Sequence, residues 1–370
     1  MHADIFCRRV DNYGDIGVCW RLARRLRQGA GWQVRLWLDD LAAFARLEPR
    51  CDPSRLRQDI DGILIVPWTA DPPAYAPGDV VIEAFACDPP AGFRQAMRER
   101  PPLWINLEYL SAEPWVESCH KLPSPQPDGL MKYFFFPGFT PATGGLLREP
   151  SLSLDRDRLQ QSPQARRDLL ANLGVPTQAL APHDGTRLVT LFCYPNAPLA
   201  ALAQALARDE TPTLLLVPEG VAPRLEAAAK ASGPALRIVR IPFLAQDDYD
   251  RLLWCADLNF VRGEDSLVRA AWAARPLVWQ SYPQAEDAHL QKLDAWLARY
   301  GPPEPARALI RAWNTDAAPD ELAAAWKAAT SAPAWPAWQA RAIAWDQQQA
   351  ALPDLAANLV EFCTEQYRQC

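Results

Sequence analysis

Short apolar runs at 3–10, 33–38, 63–68, 79–86 and 103–108, each bounded by Pro, Gly or Asp, alternate with helical stretches. That alternation commits the first part of the chain to a buried parallel sheet with crossover helices. Within 18–28, Val18, Leu22 and Leu26 recur at spacings of four, while Arg21, Arg24, Arg25 and Arg27 fall mostly around the other side. The pattern weakens from 140 to 186 into TPATGGLLREPSLSLDRDRLQQSPQ, a short helix at 164–173 and VPTQALAPHDGT, which reads as a linker. A second series follows: strand 187–194, helix 197–208, strand 213–217, helix 222–231, strand 236–241, helix 247–255 and strand 257–261. The expected fold class is therefore α/β with two Rossmann-like domains, 1–150 and 151–350, facing each other across a cleft. Residues 351–370 read as a helix able to pack back on the N-terminal domain, and the Ala, Pro and Trp bias near 317–345 reads as helices because aromatic rings need burial.

At 370 residues the chain is too long for one ordinary core, and its hydrophobic share of 49% supplies two. A net charge of −6 argues against a broad nucleic-acid surface, which needs basic excess to release counterions. Nine cysteines are scattered without a CxxC pair, several of them inside apolar strands, as expected of reduced thiols in a cytoplasm. The N-terminus, MHADIFCRRVDN, has charges where a signal peptide needs its apolar core, and no run approaches a membrane span. A cytoplasmic protein with no membrane and no nucleic-acid partner is expected.

The most informative segment is DLNFVRGEDSLVRAAWAARPLVWQSYPQAEDAH at 257–289, read as a strand, an acidic turn, a helix, a second strand and a polar loop. A strand running into Arg262, Gly263, Glu264, Asp265 and Ser266 delivers polar residues to the mouth where α/β proteins bind ligands. Ser266 is expected to cap a helix starting at Leu267, whose first-turn amides suit a diphosphate. Glu264 and Asp265 repel phosphate, so they are assigned to hydroxyl groups of a ribose or sugar, or to orienting Arg262. The plainer reading is a helix start whose acidic residues complement its dipole.

A second constellation follows the first strand: Asp11, Asn12, Tyr13, Gly14, Asp15, Ile16 and Gly17. Gly14 and Gly17 permit positive φ and close approach of a ligand or another chain. The plainer alternative has Asp15 capping the helix and Asp11 satisfying a turn. There is no GxGxxG, so an NAD-type dehydrogenase is disfavoured. The four histidines show no metal-ligand spacing, and GxSxG and GK[ST] are missing, so neither a metal nor a serine triad is expected. The acidic strings Asp59–Asp61 and Asp155–Asp157 read as solvated charge, and His289 as a helical residue rather than a base. The arginine-rich helix, with Arg8 and Arg9 before it, offers either a dock for an acidic protein or a solvated face.

Two Rossmann-like halves of this kind resemble a GT-B glycosyltransferase. More closely, VDNYGDIGVCWRLARRL at 10–26, LFCYPN at 191–196, PFLAQDDYDRLLWCADLNFVRGEDSLVRAAWA at 242–273 and WQSYPQAEDAH at 279–289 resemble the EarP family, the protein-arginine rhamnosyltransferases of elongation factor P. The resemblance runs through both domains in order. It implies transfer of L-rhamnose from dTDP-β-L-rhamnose to one arginine of elongation factor P, with inversion at the anomeric carbon, no cofactor and no metal, in the service of polyproline synthesis. It also implies that Asp11 and Asp15 are the essential carboxylates, with Asn12, Tyr13, Gly14 and Gly17 forming the acceptor-side loop. Phe192, Tyr194, Gln246 and Tyr249 match positions lining the nucleotide pocket, and Arg262, Glu264, Asp265 and Ser266 the segment around ribose and diphosphate. One departure stands out: phenylalanine is common in the family where Tyr249 stands, although tyrosine also stacks on a thymine. A GT-B enzyme for another nucleotide sugar or a small acceptor is the nearest alternative. A non-catalytic nucleotide-binding module is a further one, and it has no use for an acidic pair on the acceptor side.

Overall fold

In the computed structural model the chain forms two compact units, Met1–Glu149 with Gln349–Cys370, and Pro150–Gln348. The structure describes residues 1–11, 13–70, 73–176, 185–229 and 235–369.

The first unit holds strands β1 (His2–Cys7), β2 (Gln33–Leu38), β3 (Gln58–Ile60), β4 (Ile63–Pro67), β5 (Val80–Ala84), β6 (Leu103–Leu107), β7 (Pro123–Pro125) and β8 (Met131–Phe135). Its helices are α1 (Gly14–Ala30), α2 (Leu41–Leu47), α3 (Ala91–Glu99), α4 (Trp115–Cys119) and, from the end of the chain, α15 (Leu355–Gln369). The strands form one sheet of order β3-β4-β2-β1-β5-β6-β8-β7, parallel except for the β3–β4 and β7–β8 pairs at its two edges. Because side chains alternate across a strand, Ile5 and Ile82 meet Leu22 and Leu26 of α1 and Leu359 and Phe362 of α15 on one face. Phe6, Val81 and Trp104 meet Phe93 and Met97 of α3 on the other.

This packing alters the reading of the arginine-rich helix. Arg21 and Arg25 are 1% and 8% exposed, and they pair with Glu149 at 3.6 Å and Asp354 at 3.0 Å. They tie α1 to neighbouring chain within its own unit instead of forming a solvated face or a dock.

The second unit holds α5 (Leu152–Gln161), α6 (Pro163–Asn172), β9 (Arg187–Leu191), α7 (Leu199–Ala207), β10 (Thr213–Pro218), α8 (Leu225–Ala229), β11 (Leu236–Ile241), α9 (Gln246–Cys255), β12 (Leu258–Arg262), α10 (Gly263–Trp272), β13 (Leu277–Gln280), α11 (Ala288–Tyr300), α12 (Glu304–Asn314), α13 (Pro319–Thr330) and α14 (Ala334–Ala350). The sheet order is β11-β10-β9-β12-β13, parallel throughout.

Much of the expected linker is therefore helical; in its DRDR string Asp155 and Arg158 are exposed and Asp157 is half-exposed, as expected of solvated charge, but Arg156 is not. Arg156 is 5% exposed, forms an ion pair with the Asp346 carboxylate at 2.6 Å and donates to the Trp272 carbonyl at 2.9 Å, anchoring α5 to the body of the unit. The tryptophan-rich C-terminal stretch is helical, with Trp313, Trp326 and Trp338 buried. Among the described residues no helix is long and apolar enough to cross a membrane.

Candidate active site

In each unit the chain winds outward in both directions from a central strand, β1 in the first and β9 in the second. Such a reversal leaves a crevice at the carboxyl ends of the strands flanking it, between β1 and β5 and between β9 and β12. The residues singled out in the sequence leave the sheets at these two places.

In the first unit β1 stops at Cys7, three residues earlier than expected, because Arg8, Arg9 and Val10 are exposed. Asp15 lies in the first turn of α1 and is 3% exposed. It does not cap the helix; the N-cap is Tyr13, without a side-chain bond. Instead Asp15 Oδ2 accepts from the amides of Val10 at 2.7 Å and Asp11 at 2.8 Å, folding back onto the segment that carries the second carboxylate. The Asp11 carbonyl accepts from Gly14 N–H at 2.8 Å, and Asp11 itself is half-buried. Gly14 and Gly17 belong to α1, and neither has positive φ, contrary to expectation. The use of Gly14 is proximity: a Cβ there would stand 3.4 Å from Asp11 Oδ2. Tyr13 is half-buried against the core, and Asn12 lies outside the described residues.

In the second unit Arg262 ends β12 and is the N-cap of α10. Its guanidinium carbon lies 4.4 Å from the ring centre of Phe192 and 4.8 Å from that of Tyr194, and Nη1 donates to the Cys193 carbonyl at 3.0 Å. Cation–π contact with two rings holds the plane of the guanidinium in place. Helix α10 begins at Gly263, four residues before the expected start, and Ser266 is a helical residue rather than its cap. Gly263 has φ +64°, a left-handed turn that lets the strand pass directly into the helix and that side chains disfavour. The N-cap residue Arg262 makes no side-chain cap bond, and the first-turn amides of α10 have the character of an anion site.

Tyr249 lies on α9 with its ring 5.6 Å from that of Phe192. The residue is half-buried, and its hydroxyl is fully buried. Burial pushes the phenol up, with the Ser266 side chain opposing the effect and the Asp265 carboxylate adding to it. Gln246, the first residue of α9, is 4% exposed, and Ser266 is 7% exposed. Phe192, Tyr194, Gln246, Tyr249, Arg262, Glu264, Asp265 and Ser266 thus gather around the ends of β9 and β12 and the starts of α9 and α10.

Three further features sequence reasoning missed. Gln280, 2% exposed at the end of β13, accepts from Tyr194 N–H at 2.8 Å and so fixes the segment after β9. Asp250, next to Tyr249, and Arg269, one turn after Ser266, form a buried ion pair at 2.7 Å that joins α9 to α10. Lys292, from α11, pairs with Glu264. Gln280 had a signal, a polar residue ending an apolar strand in the motif WQSYPQ; the two ion pairs join residues 19 and 28 positions apart, with no local pattern to mark them.

Among the described residues no group of three or more His, Cys, Asp or Glu side chains is placed to hold a metal ion. His289 sits in the first turn of α11, where Nδ1 accepts from Gln284 N–H at 3.4 Å, and Asp61 pairs with Arg50 at 2.7 Å. His183 lies outside the described residues.

Two Rossmann-like units, each with polar side chains gathered at its reversal of strand order, give this chain the GT-B fold. MurG of Acinetobacter baumannii shares the fold, with TM-score 0.55 at 13% identity over 98% of this chain and 99% of that one. The family described as Elongation-Factor P (EF-P) rhamnosyltransferase EarP matches residues 3–364, and the chain belongs to that family. The protein-arginine rhamnosyltransferase of Pseudomonas aeruginosa is 51% identical over 97% of this chain and 98% of its own length. That of Neisseria meningitidis serogroup B is 39% identical, over 79% and 77%. A solved structure described as the basis for EarP-mediated arginine glycosylation of translation elongation factor EF-P aligns with TM-score 0.67 at 36% identity, over 100% of this chain and 99% of that one.

Proposed function

We propose that this chain moves L-rhamnose from dTDP-β-L-rhamnose to a specific arginine of translation elongation factor P, with inversion at the anomeric carbon. The observation that carries the reading is the pair Asp11 and Asp15 at the mouth of β1, in a chain whose family is defined by this activity. The donor residues are those of the second unit: the half-buried Tyr249 offers its ring to the thymine, Glu264 and Asp265 accept from hydroxyl groups, and Arg262 with the first turn of α10 receives the diphosphate.

The chemical difficulty is the acceptor. Arginine stays protonated at a pKa above about 12, so its nitrogen lone pairs are delocalised and a carboxylate cannot deprotonate it beforehand. The base therefore acts late. Asp11 and Asp15 hold the guanidinium and draw its charge away from the attacking nitrogen. As the new N–C bond forms at the anomeric carbon and the bond to the diphosphate oxygen breaks, Asp15 accepts the proton. The sugar is cationic in this transition state, which a carboxylate nearby stabilises, and Arg262 takes up the charge of the departing dTDP. Direct displacement requires no covalent intermediate.

The test is intact-mass measurement of purified elongation factor P after incubation with this protein and dTDP-β-L-rhamnose. Gain of one deoxyhexose on a single arginine supports the proposal. No mass change, with dTDP still bound, moves the reading to another acceptor or to a nucleotide-binding module. Because Arg262 and helix amides are assigned the charge of the leaving group, turnover is expected to persist in excess EDTA; loss restored by Mg²⁺ would overturn that part. The proposal implies a cytoplasmic chain active in translation through polyproline stretches.

A further inference from the structure

Resting on the donor reading above, we propose that Lys292 is a positioning residue of the nucleotide-sugar site, whose pairing with Glu264 lets a carboxylate and a diphosphate occupy the same helix turn. Glu264 follows Gly263 in the first turn of α10, where its charge opposes a bound diphosphate. The carboxylate is paired with the Lys292 ammonium, and both side chains are largely sheltered, at 18% and 20% exposure, so solvent only partly screens the interaction.

The contact is built into the unit by a chain of aromatic anchors. The Trp279 indole at the end of β13 donates to the Gly263 carbonyl at 2.8 Å, fixing the junction that Glu264 follows. Trp296 of α11 packs edge-on against Trp279, with ring centres 5.5 Å apart. Lys292 lies four residues before Trp296 and therefore on the same side of α11, facing the same junction. Helix α11 is thus held where its lysine meets Glu264. A lysine-paired carboxylate still accepts from a sugar hydroxyl, in a fixed orientation, while the pair as a whole presents no net charge to the phosphates.

This role differs from plain structural support in its dependence on ligand charge. With Lys292→Met the loss of this ammonium beside Glu264 is expected to weaken dTDP about tenfold, a change of the size of one partly sheltered charge contact, while uncharged thymidine changes less than about threefold. The donor KM rises in step with the dTDP Kd. Adding Glu264→Gln to Lys292→Met is expected to recover at least about threefold of the lost dTDP affinity, because the repelling charge is gone. Calorimetry serves for dTDP and ligand-detected NMR for thymidine. Unchanged dTDP affinity in Lys292→Met, or equal weakening of both ligands without recovery in the double variant, would overturn the proposal while leaving the donor reading intact. Failure of the unmodified protein to bind dTDP would remove the donor reading and this proposal with it.

Discussion

Asp15→Asn separates the two things that Asp15 is in a position to do. Its Oδ2 holds two backbone amides, at 2.7 and 2.8 Å, so any substitution touches the shape of the β1–α1 segment as well as the chemistry. Asparagine keeps one oxygen able to accept and loses the charge. A hydrogen bond to a charged group contributes about 1.5–3 kcal/mol against about 0.5–1.5 for a neutral one, so the two weakened bonds together cost about 1–3 kcal/mol. In a unit of this size that lowers the melting temperature by roughly 2–10 °C, which leaves a folded protein to assay. Asp15→Ala leaves both amides without this acceptor, at about 1–3 kcal/mol each, and is the less stable of the two. A positioned proton acceptor is worth about 10²–10⁴ in rate, or roughly 3–5 kcal/mol in the barrier. If Asp15 takes the proton, both variants lose that factor, and they differ from each other in melting temperature far more than in rate. The assay is single-turnover mass measurement of the acceptor at saturating donor, beside thermal unfolding. An asparagine variant that keeps more than about a tenth of the rate while the alanine variant loses more than about a hundredfold would refute the assignment, since the acid would then act through the loop alone and the proton would pass to Asp11.

Arg262→Lys keeps the positive charge but not the planar group between Phe192 and Tyr194 or its hydrogen bond to the Cys193 carbonyl, and is expected to lower kcat/KM about 10–100-fold in donor-dependent kinetics. His120 gives a pH signature in the first unit. Its Nδ1 accepts from Phe136 N–H at 3.0 Å, and burial, with Lys121 nearby, brings the imidazole down to about 4. A lowered histidine favours protonation of the unfolded chain, so the contribution is intact above about pH 6.5 and declines as pH falls toward 4. Urea midpoints measured between pH 6.5 and 5 should fall more steeply for the native protein than for His120→Asn. Burial raises the thiols of Cys51 to about 11 and of Cys193, Cys255 and Cys363 to about 12. Brief iodoacetamide treatment at pH 8 followed by peptide mapping should therefore leave all four unlabelled, with Cys119, the half-buried one among the described cysteines, labelled in preference to them.

Periodicity and turn residues made the alternation legible, since a parallel sheet is made of short apolar runs whose ends are marked by Gly, Pro and Asp. The runs at 33–38 and 236–241 coincide with β2 and β11. Polar residues after β1, β9 and β12 pointed to the candidate site because strand ends are where a sheet exposes side chains. What was lost depends on packing. Nothing local marks Arg21, Arg25 and Arg156 as buried, since each becomes so through an acid far along the chain or through an element that arrives later to cover it. The early start of α10 follows from Gly263, whose φ of +64° saves the turn that a capped helix would need. Lys292 meets Glu264 through two tryptophans, and no spacing rule links residues on successive helices of a βαβα series.

Helix α15 belongs to the first unit although it follows the whole of the second in the chain. Leu355, Ala356, Leu359, Phe362 and Cys363 complete an apolar layer begun by β1 and α1. On the ribosome, that layer waits while residues 150–348 are made, which at roughly 5–20 residues per second takes roughly 10–40 s. During this interval the nascent first unit exposes the surface of α1 that α15 will cover, and the second unit is free to fold before it. The unit that carries Asp11 and Asp15 is thus the last to mature, and loss of α15 by premature termination or proteolysis would impair its folding while sparing that of the second unit.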